Sequence, residues 1–202
     1  MSSLPRVLPK LLMRLERHLP EMADSLQPGL TREAINDMIH GFPFLLPEEI
    51  YEIYEWRNGT AGSQLEAPYQ VFSVEFISLE ENLIFLEEQL KQDGCGLYYF
   101  ILFRCMSPDE WDYFGIPLNY TSFPVIYWTE TQHMRRMHQL KREEIEKRIR
   151  YPSITNIIYA VVEWSECAIR KNITNNKPWF YVDEKELERI HQKYSDKTLR
   201  IY

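Results

Sequence analysis

The side chains best suited to metal binding or acid–base chemistry are five histidines, and their spacing does not favour a shared site. They are His18, His40, His133, His138 and His191. His133 and His138 are five positions apart, whereas two imidazoles share one helical face at a separation of three or four. No pair of carboxylates stands out from the general acidity of the chain. The sequence therefore predicts no metal site and no cofactor.

Nucleophilic chemistry finds no sequence support either. Cys95, Cys105 and Cys167 form no C-x-x-C pair, which argues against a zinc or redox site. The chain has no G-x-S-x-G, no S-x-x-K and no glycine-rich phosphate loop, and it contains only 7 glycines. We expect no catalytic residues, although a site assembled from distant positions stays open as an alternative.

Length and hydropathy predict one globular domain inside the cell. The chain has 202 residues and 28 aromatic side chains (13 Tyr, 10 Phe, 5 Trp), enough to fill a core without disulfides. Charged residues are spaced among the leucines of residues 1–20, which is typical of an amphipathic helix and not of a signal peptide. No apolar run approaches the roughly 20 residues that cross a bilayer. We expect a cytoplasmic protein that does not enter a membrane.

Charge is distributed unevenly along the chain. Residues 1–130 carry 8 Lys and Arg against 20 Asp and Glu, whereas residues 131–202 carry 15 against 10. An acidic surface repels nucleic acid and attracts basic partners. The stretch 133–150 holds seven Lys and Arg with three Glu, which we interpret as a solvated helix or long loop and not as a nucleic-acid patch.

Periodicity and capping residues predict an α+β fold with a central antiparallel sheet and helices packed around it. Strands are expected within 71–76, 97–104 and 123–129, the last two as neighbours. Helices are expected in 1–20, 31–40, 47–57, 78–92, 153–171 and from 183 onward. Thr31 and Ser78 should be N-caps, and the 153–171 helix should pack in the core with Ile154, Ile157 and Ile158 on one face. Leu79, Leu83, Leu86 and Leu90 should face inward on the 78–92 helix. Asn58 and Gly59 should end the 47–57 helix, with Gly59 at positive φ as its C-cap.

Two groups of residues are candidates for contact with a protein partner. The carboxylates Glu52 and Glu55 should point outward from the 47–57 helix, beside Glu80 and Glu81 at the start of the next one. Such a face would steer a basic partner, or it would serve solubility alone. The aromatic residues Trp111 and Tyr113 could lie on an exposed binding loop, although such residues are more often part of the core.

The segment 41–59, GFPFLLPEEIYEIYEWRNG, resembles the signature of the SMI1/KNR4 family, also called the SUKH superfamily. The matching residues are Leu46, Pro47, Tyr54, Trp56, Asn58 and Gly59. The strand and helix start at 76–81, FISLEE, is similar to the family's next feature. The segments from Tyr151 and from Asp183 are similar to a C-terminal extension found in cyanobacterial members. The stretch 105–119 is only loosely similar to the family's central hairpin.

This resemblance implies a single SMI1/KNR4-like domain over 1–202, with an N-terminal helical extension at 1–29 and a C-terminal one at 150–202. It implies no catalytic centre and a protein partner. Relatives include bacterial immunity proteins, which neutralise toxins, and fungal regulatory scaffolds. Three functions are therefore open: an immunity protein covering the active site of a basic toxin, a regulatory adaptor for a housekeeping protein, and an enzyme with a spatially assembled site. The oligomeric state is not predicted.

Overall fold

The computed structural model describes residues 3–18, 20–61, 73–91, 98–106, 111–118, 123–129, 142–167, 169–172, 178–181 and 184–195. Eight helices lie in this part of the chain. They are α1 (Leu4–His18), α2 (Pro20–Ser25), α3 (Arg32–Ile39), α4 (Glu48–Trp56), α5 (Leu79–Leu90), α6 (Arg142–Glu146), α7 (Ile154–Cys167) and α8 (Glu184–Ser195). The predicted elements begin or end at some residues outside the described ranges, namely 1–2, 71–72, 92, 97 and 183. Residues 133–141 of the basic stretch also lie outside them.

The strands form one large antiparallel sheet and two small ones. They are β1 (Leu26–Pro28), β2 (Arg57–Thr60), β3 (Ser73–Phe76), β4 (Tyr99–Met106), β5 (Trp111–Pro117), β6 (Val125–Thr129), β7 (Ile149–Tyr151), β8 (Ile169–Asn172) and β9 (Pro178–Tyr181). Strands β3 to β7 lie side by side in chain order, every neighbouring pair antiparallel, while β1 pairs with β2 and β8 with β9. The predicted α+β class is confirmed, and so is the central antiparallel sheet.

The expected pairing of the second and third predicted strands is wrong. Strand β5 lies between β4 and β6, with Phe103 opposite Phe114 and Phe114 opposite Tyr127. The turn-forming residues 107–109 and the polar and aromatic stretch that follows them predict a connection between the two strands and no strand of their own. Glycine is required here since a Cβ on Gly115 would lie 2.5 Å from the carbonyl oxygen of Phe100. Close backbone approach explains this glycine inside a strand.

Both faces of the large sheet carry buried residues, and successive residues at the start of β4 alternate between two clusters. Phe100 and Leu102 of β4 join the larger cluster together with residues of α1, α4, α5, α7 and α8. Tyr99 and Ile101 join the smaller cluster, which the fully buried Ile145 of α6 helps to cover. Helix α7 contributes Ile154, Ile157 and Ile158 to the larger cluster, as the sequence predicted.

The helices predicted as terminal extensions pack into this same core. Helix α1 buries five residues at helical spacing, among them Leu4 and Leu15, and packs on α7. Helix α8 buries Ile190, which belongs to the same cluster. Helices α1 and α8 therefore stabilise the core through direct contact.

Local signals for helix starts are accurate, whereas two predicted helix ends are wrong. The helix predicted over 153–171 ends at Cys167, because residues 169–172 pair with β9 as strand β8. The hydroxyl oxygens of Thr31 and Ser78 accept from the backbone N–H of Ala34 and Glu81, as predicted for N-caps. Helix α4 ends at Trp56, and the backbone of its C-cap residue, Arg57, is already extended. Gly59 does have a positive φ of 79°, but it lies within β2, so its predicted role as a C-cap is wrong.

Candidate functional surface

The residues that carry the family resemblance hold the junction between β3 and α5. The Tyr54 hydroxyl donates to the carbonyl oxygen of Ile77 (2.7 Å) and accepts from the Asn82 side chain (3.0 Å). All of Tyr54 is buried, and this burial raises the pKa of its phenol. A fully buried phenol whose hydroxyl forms two hydrogen bonds contributes to packing and not to contact with a partner.

Asn58 and Gly59 dock on the first turn of α5. The Asn58 side chain accepts from the backbone N–H of Leu79 (2.9 Å) and donates to the carboxylate of Glu80 (2.8 Å). A Cβ on Gly59 would lie 2.7 Å from both Cα and N of Ser78. The Asn-Gly pair therefore fixes the start of α5. Asn58 accepts from a backbone N–H of its first turn, and Gly59, which has no Cβ, lets the two backbones lie in contact.

The other motif residues are also structural. Leu46 is buried in the larger cluster, and Pro47 is the N-cap residue of α4. Trp56 is half-buried, with the guanidinium carbon of Arg57 5.7 Å from its ring centroid. The motif therefore specifies how α4, β2 and α5 pack together.

The carboxylates of α4 do not form the predicted open acidic face. Glu55 is exposed, but Arg32 of α3 donates to it at 2.8 Å and also contacts Glu48. These hydrogen bonds lower the pKa of Glu48 and raise that of Arg32. The same guanidinium stacks over the ring of Tyr51 at 4.6 Å. The outward position predicted for Glu55 is confirmed, although Arg32 pairs with it, and contact of Glu55 with a partner stays a prediction.

Glu52 is half-buried and does not point fully outward as predicted. Its Oε2 atom is buried and has no hydrogen-bond partner among the described residues. Its neighbour Glu49 accepts from the Thr155 hydroxyl of α7 at 2.9 Å. Burial, and secondarily the charge of Glu52, raise the pKa of Glu49 against the opposing effect of that hydrogen bond. Glu49 therefore links this side of α4 to the start of α7, and contact of Glu52 with a partner stays a prediction.

Of the two predicted carboxylates on α5, only Glu80 is fully exposed. Glu81 is half-buried and lies 3.4 Å from Arg104, which also binds Glu75 at 2.6 Å. Glu80 keeps its place at the surface while accepting from Asn58. Of these two carboxylates, Glu80 is therefore the exposed one, whereas Glu81 is paired with Arg104.

The outward side of α5 exposes a set of residues that the sequence analysis missed. They are Glu80, Ile84, Glu87 and Glu88, hereafter the α5 face. Their spacing places them on one side of a helix whose other side buries Leu79, Leu83 and Leu86. Among the described residues no ion pair is formed by the side chains of Glu87 or Glu88. Ile84 stands 59% exposed between these carboxylates.

A signal for this face exists in the sequence. Ile84 breaks the leucine spacing of α5, so an isoleucine falls on the side that carries the glutamates. The expected inward position of Leu90 is wrong, because it is 36% exposed at the end of the helix. Gln89 takes the inward position beside it and bonds both backbone groups of Tyr99.

Tyr113 is not part of an exposed loop. It lies on β5, is 9% exposed and stacks on Trp128 with ring centroids 5.6 Å apart. Its alternative interpretation as a core residue is therefore correct. Trp111 pairs through its backbone with Met106, and the partner-binding role predicted for its side chain lies outside the described residues.

The remaining titratable clusters are structural ties between helices. Glu163 of α7 has a pKa of about 2: burial would raise it, but donors from Lys193, Tyr194 and Arg189 of α8 outweigh that effect. His191 of α8 bonds the buried Tyr151 hydroxyl.

In the part of the chain that the structure describes, no group of three or more metal-ligating side chains occurs. None of the described helices is both long and apolar enough to span a bilayer.

Comparison with known proteins adds no assignment. No family model matches the chain. No curated protein matches it either.

Proposed function

We propose that this chain is a protein-binding domain of the SMI1/KNR4 kind, without catalytic activity, and that the α5 face contacts a basic partner. The exposure of Ile84 between three carboxylates carries this proposal. An exposed apolar side chain gains free energy when a partner covers it. The carboxylates around it, which form no ion pair among the described residues, steer a cationic surface into place.

The arrangement of α5 supports binding because the helix is fixed before any partner arrives. Its start is held by Asn58 and Ser78, and its inward side by Asn82 and Gln89, which bond β4. A fixed helix loses little conformational freedom on association, so less of the contact energy is spent on ordering. A rigid acidic helix suits a partner with a preformed basic cleft.

Within this proposal, the first form of the function is an immunity protein that covers the active site of a basic toxin. The family resemblance and the acidic first 130 residues favour it. A regulatory adaptor would use the same surface for a housekeeping partner. The two forms differ in the partner and not in the physical mechanism.

The test compares three forms of the full chain as bait for proteins from its own cells. The first is unmodified, the second carries Glu87→Lys and Glu88→Lys, and the third carries Glu16→Lys and Glu33→Lys on exposed positions of α1 and α3. All bound proteins are identified by mass spectrometry. We expect a partner that the first and third retain and the second loses.

The activity of that partner then decides between the immunity role and the adaptor role. A toxin whose activity is abolished on adding the unmodified chain supports the immunity role, and a housekeeping protein supports the adaptor role. Equal retention of every partner by the second and third baits would contradict the α5 face as the binding surface, since both carry the same change in net charge.

A further inference from the structure

Helix α1 carries a second exposed surface, opposite in charge to the α5 face, that the proposed function does not use. It consists of the exposed residues Arg6, Lys10, Met13 and Arg17, hereafter the α1 stripe. Steps of four, three and four positions place these side chains along one side of a helix. The other side of α1 buries five residues in the core, so the stripe lies on a helix that is already fixed.

The cations of the α1 stripe are not neutralised by neighbouring carboxylates. They form no ion pair among the described residues, whereas Arg14, beside the stripe, pairs with Glu166 of α7 at 2.9 Å. Two exposed acidic residues lie on α1 and α2, Glu16 and Asp24, and neither pairs with the stripe. Glu16 is about 100° around the helix axis from Arg17. The stripe is therefore locally positive in a chain whose net charge is −7.

The α1 stripe and the α5 face have matching patterns of opposite charge. On α1, Lys10 and Arg17 lie about 4.5 and 6 Å along the axis on either side of Met13, which is 55% exposed. On α5, Glu80 and Glu88 lie about 6 Å on either side of the exposed isoleucine. Each surface therefore has an apolar centre between charges, and aligning the two centres places cations against carboxylates whether the helices run parallel or antiparallel.

We propose that the α1 stripe of one copy of this chain docks on the α5 face of a second copy. This inference rests on the α5 face of the proposed function and names a second occupant for it. Met13 covers Ile84, and ion pairs form on both sides of this contact. Because both surfaces are exposed, they do not meet within one chain. A nucleic acid fits the stripe less well, since the acidic remainder of the chain repels an extended polyanion.

The contact between two copies should be weak. One pair of helices covers less area than the roughly 1,200–2,000 Å² of stable interfaces. Both copies carry a net charge of −7, and their repulsion is screened over about 8 Å at physiological ionic strength. We therefore expect a dissociation constant between about 0.01 and 1 mM, so that a tighter partner of the α5 face displaces the second copy.

The test is sedimentation equilibrium of the full chain at about 0.15 M salt and at protein concentrations up to roughly 1 mM. One variant carries Lys10→Glu and Arg17→Glu, and the other carries Glu87→Lys and Glu88→Lys. We expect self-association of the unmodified chain and association weaker by about tenfold or more in each variant alone. An equimolar mixture of the two variants should associate like the unmodified chain, because one supplies an intact α5 face and the other an intact α1 stripe.

The two variants shift the net charge in opposite directions, so a general charge effect does not weaken self-association in both. Circular dichroism and urea unfolding check that each is folded, as expected for exposed positions. Three results would overturn the inference: an unmodified chain that stays monomeric up to roughly 1 mM, a variant that self-associates like the unmodified chain, or a mixture of folded variants that stays monomeric.

Failure of this inference is distinguishable from failure of the proposed function. The variant with Lys10→Glu and Arg17→Glu keeps its α5 face, so as bait it should recover the same partner as the unmodified chain. Loss of self-association with that partner retained supports both claims. A partner recovered while every form stays monomeric overturns the docking of a second copy alone.

Discussion

The side-chain amide of Asn82 forms both backbone hydrogen bonds that a neighbouring strand would give to Ile101. Its Oδ1 accepts from the Ile101 N–H and its Nδ2 donates to the Ile101 carbonyl, each at 2.7 Å. Strand β3 stops at Phe76, opposite Phe103, so this edge of β4 has no strand partner at Ile101. Helix α5 therefore completes the sheet edge with a side chain.

Replacing Asn82 with Ala should destabilise the fold by roughly 2–4 kcal/mol. The substitution leaves the N–H and the carbonyl of Ile101 buried without partners, and it removes a donor to Tyr54. Urea unfolding measures the change. Glu88→Ala on the exposed side of the same helix is the control and should change stability by less than about 0.5 kcal/mol. Similar midpoints for the two variants would show that Asn82 does not hold this edge.

Two glycines at positive φ should respond differently to alanine. At Gly41 (φ 96°) an added Cβ meets nothing within 4 Å, so Gly41→Ala should cost only the backbone strain of about 1–2 kcal/mol. At Gly59 (φ 79°) the same Cβ would press against Ser78, so Gly59→Ala should cost more than Gly41→Ala. Urea denaturation of both variants gives the comparison. A smaller loss at Gly59 would contradict its close contact with the start of α5.

The sequence predicted elements where one local signal dominates and failed where distant contacts decide. Thr31 and Ser78 mark helix starts correctly, because an N-cap is a local hydrogen bond. The positive φ of Gly59 was predicted correctly, but its position within β2 was not. The backbone that leaves no room for a Cβ there belongs to Ser78, 19 positions away. Strand β5 was missed because Gly115 is explained only by the approach of Phe100 from β4.

The candidate surface was partly predictable for the same reason. Glu55 and Glu80 are both exposed, but no sequence pattern shows that Arg32 reaches Glu55 across 23 positions. Ile84, in contrast, could have been found, because its position on the polar side of α5 follows from helical spacing alone. The amide ladder of Asn82 and Gln89 could not, since buried amides look like ordinary polar residues in the sequence.

The stability of the protein should fall as the pH is lowered below neutrality, through His191. Burial and the charge of Arg150 hold its pKa near 4, below the ordinary histidine value of 6.5, so the unfolded chain takes up a proton first. The contribution is fully present above pH 6.5 and is lost as the pH falls toward 4. Between pH 7 and 5 we expect a loss of about 1–2 kcal/mol in the free energy of unfolding.

The matched variant is His191→Gln, which cannot be protonated in this range. Its free energy of unfolding should change less between pH 7 and 5 than that of the unmodified chain. Glu49 acts in the opposite direction, because its raised pKa adds stability as the pH falls, and it is present in both proteins. An identical pH dependence of the two would exclude His191 as the titrating group.

The most direct test of the central claim is the association rate constant with the partner recovered by the α5 comparison. It is measured by stopped flow at low and high salt for the unmodified chain, for Glu87→Lys with Glu88→Lys, and for Glu16→Lys with Glu33→Lys. Exposed charges are screened over about 8 Å at physiological ionic strength. If the α5 face steers a basic partner, the first pair of substitutions slows association about tenfold or more at low salt, the second pair slows it far less, and high salt removes the difference. Association rates that are equal for both variants and insensitive to salt would contradict the claim.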